Sequence, residues 1–78
     1  MPLSQIDKSM DLRGTPCPLN WVKTKLRLEE MQPGMVLEVM VDEGGPARNV
    51  PRTVQAEGHV IVDIQRLPDG VRIVIERR

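Results

Sequence analysis

The tripeptide Pro68-Asp69-Gly70 separates two runs of alternating residues, and it limits the possible folds more than any other part of the chain. Before it, Val60, Val62, Ile64 and Arg66 alternate with Ile61, Asp63, Gln65 and Leu67. After it, Val71, Ile73 and Ile75 alternate with Arg72, Val74 and Glu76. A period of two belongs to a strand and Pro-Asp-Gly to a turn, so the spacing predicts an antiparallel hairpin over Val60–Glu76. Upstream, Ile6–Leu12 reads as a short strand near an edge. Met35–Val41 reads as a central strand, largely buried on both faces.

Two helical patterns separate these strands. Pro18 to about Met31 carries one apolar stripe of Trp21, Leu28 and Met31 and a second of Leu19, Val22 and Leu26, while Asn20, Lys23, Arg27 and Glu30 form a polar face. Packing on a sheet and on a neighbouring helix would bury both stripes; alternatively, part of one stays open for a partner. Gln32-Pro33-Gly34 stops this helix. Pro46–Glu57 places Ala47, Val50 and Val54 at helical spacing, with Pro51 either kinking the helix or marking its proper start, and Gly58 ending it. The order βαβαββ, with one hairpin and two helices, predicts a two-layer α/β sandwich: a four-stranded mixed sheet with both helices on one face.

At 78 residues the chain fits one domain, expected over residues 6–78, with 1–5 as a flexible tail. The core must be built from Val, Ile, Leu and Met, because the chain has one Trp and neither Phe nor Tyr. Eleven cationic and eleven anionic side chains cancel, which argues against direct nucleic-acid binding. The lone Cys17 excludes an internal disulfide and gives no zinc-ligand spacing, so no metal or cofactor is expected and a reducing compartment fits best. The sequence offers neither a signal-peptide pattern nor a run near the ~20 apolar residues of a membrane span; a cytoplasmic protein is expected.

The chemistry concentrates in Asp11-Leu12-Arg13-Gly14-Thr15-Pro16-Cys17-Pro18-Leu19-Asn20. Proline after cysteine suits the first position of a helix and puts Cys17 at the N-cap. There its sulfur would face free N–H groups and the positive end of the helix dipole, conditions that lower a thiol pKa from about 8.5. Arg13 adds a positive charge, and Gly14, Pro16 and Pro18 make the flanks a surface turn. Asp11 is expected to bind loop N–H groups rather than act as a base. Adjacent Asp42 and Glu43 read as a solvated loop, and His59 has no motif placing it beside the thiol.

The run Asp-Leu-Arg-Gly-x-x-Cys-Pro, then a helix, Gln32-Pro33-Gly34, Val41-Asp42, Val50-Pro51 and Gly58-His59, resembles the sulfur-carrier family typified by TusA and SirA, and the resemblance covers Met10–Ile75. It implies the same two-layer architecture and a cytoplasmic protein that receives sulfur as a persulfide on its cysteine. The implied donor is a cysteine desulfurase or another persulfide donor, and the implied recipient a downstream acceptor protein. One departure is Asn20, where the family motif Cys-Pro-x-Pro has a second proline. An asparagine there restores an N–H that can serve an N-cap acceptor, so Asn20 is expected to support the thiolate together with Pro18, Leu19, Arg13 and Gly14.

Three function classes follow. Sulfur carriage needs one nucleophilic thiol and borrows the rest of its chemistry from a partner. A disulfide oxidoreductase would need a resolving cysteine, which is missing. A regulatory or RNA-binding module is weakened by zero net charge and few stacking aromatics. For a carrier, here expected to be monomeric, Arg13, Lys23 and Arg27 are the basic side chains expected to meet an acidic partner, with Trp21 either an anchor or core.

Overall fold

The computed structural model describes residues 6–16 and 19–78. Its elements are β1 (Lys8–Asp11), α1 (Leu19–Glu29), β2 (Val36–Val41), α2 (Gly45–Ala56), β3 (Val60–Leu67) and β4 (Gly70–Glu76). The sheet runs β1-β2-β4-β3, with β1 parallel to β2 and the other pairs antiparallel. This is the expected mixed sheet with two helices. The expected tail, residues 1–5, lies outside the described residues.

Side-chain alternation builds the core. Leu37 pairs with Ile75, Val39 with Ile73 and Val41 with Val71, and all six are fully buried. Leu28 of α1, Met31 just beyond its end, and Val50 and Val54 of α2 cover them. On the other face of the same strands Glu38 bonds Arg72, and Val36, Glu38 and Met40 are half-buried. The expectation that β2 is largely buried on both faces thus holds fully on the helix side and in part on the other, where Val74 of β4 is buried beside Glu38.

Three local expectations are changed or narrowed. Strand β3 does not alternate simply: Ile61 faces Ile75 and Ile64 faces Ile73, with a register shift between Ile61 and Asp63. The extra residue of a bulge turns Ile61 and Ile64 to the same face. Helix α2 passes through Pro51 in one piece from Gly45, with Pro46 in its first turn. Pro51 is buried beside Val50 and Val54, and Thr53 Oγ1 donates to the Asn49 and Val50 carbonyls at 2.9 and 3.0 Å. The helix closes in a Schellman arrangement, Gly58 N–H to Gln55 and His59 N–H to Val54.

The third change concerns α1. Its buried line is Asn20, Thr24 and Leu28, spaced four apart, with Trp21 and Met31 packed at its side. Leu19, Val22 and Leu26 are exposed at 48, 42 and 54 %. Thr24 can replace an aliphatic residue there because its hydroxyl donates to the Asn20 carbonyl at 2.8 Å, leaving its methyl to pack. Arg77 completes the helix end, its Nε donating to the Leu28 carbonyl at 2.5 Å.

Candidate functional site: the loop between the first strand and the first helix

The β1–α1 loop opens at the sheet edge where β1 leaves its partner. Leu12 N–H donates to the Met40 carbonyl at 2.8 Å, extending the ladder by one residue, and Leu12 is buried. Thr15 N–H then donates back to the Leu12 carbonyl at 3.0 Å, closing a turn in which Gly14 has φ +81°. That angle suits glycine at the third position of the turn.

Three carboxylates hold this turn. Arg13 grips Asp11 through Nε at 2.9 Å and Nη2 at 2.7 Å, while its backbone N–H reaches Asp11 Oδ1 at 3.1 Å. Its remaining arm, Nη1, bonds Asp69 Oδ2 at 2.8 Å, in the turn between β3 and β4. Gly14 N–H donates to Asp42 Oδ2 at 2.7 Å, just beyond β2. The loop is thus tied to its own strand, to the end of the central strand and to the hairpin tip.

Charge at the loop differs from the sequence expectation. The hydrogen bonds from the Arg13 side chain and backbone hold the Asp11 carboxyl down at about 2, and Asp11 in turn raises Arg13 above its ordinary value. Asp11 is therefore a fixed acceptor at neutral pH. Arg13 meets two carboxylates, with Asp42 a third nearby, so its charge is outnumbered and lends no net positive field to the loop. Asp42, exposed as expected of a solvated loop, also anchors the β1–α1 loop, while its neighbour Glu43 pairs with Arg66 at 2.8 Å.

Cys17 and Pro18, with the expected N-cap geometry of the thiol, lie outside the described residues. Their flanks are described. Pro16 is exposed, and its carbonyl accepts from Asn20 N–H at 3.3 Å. The N–H assigned to support the sulfur thus also donates to a backbone carbonyl. Asn20 itself is 1 % exposed rather than on the polar face; its Oδ1 accepts from Trp21 N–H at 2.6 Å, and its Nδ2 has no partner among the described residues. Leu19 and Lys23 are exposed, Trp21 is half-buried against the core, and Arg27 is half-buried with Glu30 at 3.5 Å. A shallow groove of about 220 Å³ lies among Met10, Lys23, Leu26, Arg27 and Glu30.

His59 stands apart. It precedes Val60, which pairs with Glu76, whereas the loop meets β4 at Gly70. Six residues of strand at roughly 3.3 Å each separate those ends. His59 Nδ1 accepts from Arg78 N–H at 3.1 Å. Among the described residues no group of His, Cys, Asp and Glu could hold a metal ion, and no helix is long and apolar enough to cross a membrane.

Sequence reasoning missed Asp42 and Asp69 as site residues. Each looked like ordinary turn polarity, and nothing local reveals that a turn 28 or 56 positions away will supply the matching donor.

The fold and loop define a small α/β sandwich whose only cysteine follows an anchored strand-to-helix turn. The family model described as sulfurtransferase TusA matches residues 8–77, and the chain belongs to that family. Among the relatives that bear the name "Putative sulfur carrier protein" are three that span most of this chain. That of Thermotoga maritima is 38% identical over 73 residues, covering 92% of each chain. That of Archaeoglobus fulgidus is 38% identical over 63 residues, 81% of this chain and 72% of its own. That of Escherichia coli, YedF, is 30% identical over 71 residues, 91% of this chain and 92% of its own. The fold matches the crystal structure of a SirA-like protein from Desulfitobacterium hafniense with a TM-score of 0.79, over 88% of this chain and 95% of that one, at 21% identity.

Proposed function

We propose that this protein is a sulfur carrier that receives sulfur as a persulfide on Cys17 and passes it to an acceptor protein. The observation that carries this reading is the chain's single cysteine, set within the matched family segment directly after the anchored turn. In the receiving step the Cys17 thiolate attacks the outer sulfur of a donor persulfide. The donor's sulfur–sulfur bond breaks, its cysteine leaves as a thiolate, and a new sulfur–sulfur bond forms on Cys17. The proton stays on the transferred sulfur, so no external oxidant or reductant is needed. Attack by an acceptor thiolate repeats the exchange.

The donor in this reading is a cysteine desulfurase or another persulfide-bearing protein, and the setting is the cytoplasm. The chain acts as one domain over residues 6–78, as a monomer, and as a carrier rather than a stand-alone turnover enzyme. Surface chemistry supports docking on an acidic partner. Helices α1 and α2 carry five of the eleven cations, Lys23, Lys25, Arg27, Arg48 and Arg52, and only one of the eleven carboxylates, Glu29. Exposed Leu19, Val22 and Leu26 give the same layer apolar area to bury.

Incubation with a cysteine desulfurase and sulfur-labelled cysteine tests the reading. The label is expected on the wild-type protein, removable by a reducing thiol, and absent from Cys17→Ser. Label on the serine variant would refute it.

A further inference from the structure

We propose that Asp42 and Asp69 are positioning residues for sulfur transfer, holding in one shape the Leu12–Pro16 turn against which a protein donor docks. This rests on the sulfur-carrier reading. Asp42 accepts Gly14 N–H at 2.7 Å and Asp69 accepts Arg13 Nη1 at 2.8 Å. The two acids come from different connections, one after β2 and one before β4, and they approach the turn by separate routes. With Asp11 gripping the rest of the Arg13 guanidinium, residues 13 and 14 are fixed from three directions, four and three positions before the cysteine.

Energetics point to geometry as the role of these contacts. Asp69 is 69 % exposed and the Arg13 side chain 35 %, and ion pairs so open to water add little to stability. Their summed charge also has the wrong sign to activate a thiol three residues further along the chain. One guanidinium among three carboxylates is net negative, which disfavours a thiolate. Docked protein donors demand orientation, because both reacting sulfurs are held on large bodies and small misplacements slow the reaction sharply. A freely diffusing persulfide makes no such demand.

The position and charge accounts predict opposite signs for Asp69→Asn. Loss of a negative charge should favour the thiolate, whereas loss of the anchor should slow transfer from a protein. The test measures sulfur transfer to wild type, Asp69→Asn, Asp42→Ala and Arg13→Lys from a cysteine desulfurase and from glutathione persulfide, together with the alkylation midpoint of Cys17. Lysine keeps the charge of Arg13 but cannot span Asp11 and Asp69 in a planar fork. All three variants are expected to take sulfur from the desulfurase about tenfold more slowly and from glutathione persulfide within about twofold of wild type. The alkylation midpoint should not rise. Wild-type rates from the desulfurase in the two aspartate variants, a fully active Arg13→Lys, or equal slowing with both donors would overturn the positioning role. A wild-type protein that takes sulfur from neither donor would instead refute the carrier reading beneath it.

Discussion

Arg13 lies directly across Gly70, so that a β-carbon on Gly70 would sit 3.2 Å from Arg13 Cδ and 2.8 Å from the Val41 carbonyl oxygen. Glycine at the start of β4 is what lets the loop side chain cross the hairpin to reach Asp69. Gly70 also has φ +152°, an angle that side chains rarely adopt. Gly70→Ala is expected to destabilise the fold by about 1–3 kcal/mol, since the intruding methyl meets backbone rather than a movable side-chain end. Urea denaturation checks this; an unchanged midpoint would contradict the close packing at that corner.

The Arg13–Asp11 pair has a defined pH signature. Asp11 falls from 3.8 to about 2 in the folded protein, chiefly through the Arg13 side-chain hydrogen bond and next through the Arg13 backbone N–H. A depressed carboxyl pKa adds stability that is fully present above 3.8 and is lost as pH falls through about 2. The pair should therefore stay intact throughout the neutral range. NMR titration of the Asp11 carboxyl carbon is expected to give a midpoint near 2, and Arg13→Gln should return it toward 3.8. A wild-type midpoint at the ordinary value would break the geometry described for the loop.

Asn20 marks where this chain departs from the Cys-Pro-x-Pro pattern, and its N–H is engaged by Pro16. Asn20→Pro therefore removes a donor that the Pro16 carbonyl already engages. It costs a long 3.3 Å hydrogen bond and the acceptor for Trp21 N–H, but it also removes the buried Nδ2 that lacks a partner among the described residues. These effects offset, so stability should change by no more than about 1 kcal/mol. The Cys17 alkylation midpoint should stay where it is. A clear rise in the variant would restore a direct role for the Asn20 N–H at the sulfur.

Much of the architecture was legible because the core strands obey strict alternation. Leu37, Val39 and Val41 repeat every second residue opposite Val71, Ile73 and Ile75, and a one-residue slip would expose every one of them. The bulge in β3 was hidden because Val60, Ile61 and Val62 are all apolar, so no polar residue marks the change of face. Helix α1 misled for the opposite reason. Its buried line is begun by Asn20 and Thr24, while Leu19, Val22 and Leu26 face outward, and hydropathy alone assigns those two sets the other way round. At the site, local chemistry pointed to the turn and to Asp11, but partners in distant turns become visible only once the strands are registered.

Docking through the helical layer predicts a salt-dependent variant. Lys23→Glu with Arg27→Glu should slow sulfur transfer from a cysteine desulfurase at low ionic strength, with the deficit shrinking where the Debye length falls below about 10 Å. Arg13 is left out because its charge is already matched by Asp11 and Asp69. Exposed Lys23 and half-buried Arg27 should change stability by only about 0.5 kcal/mol or less, so urea midpoints should stay close to wild type. Equal transfer rates at low salt would remove the basic helices from the docking surface.

Mass spectrometry of the intact protein, isolated from cells without reducing agent, tests the carrier role most directly. A fraction of the chains is expected to be heavier by one sulfur atom, with the addition mapped to Cys17, removed by a reducing thiol and absent from Cys17→Ser. Unmodified Cys17 in every chain from cells actively moving sulfur, or an extra sulfur that persists in the serine variant, would contradict sulfur carriage on this cysteine.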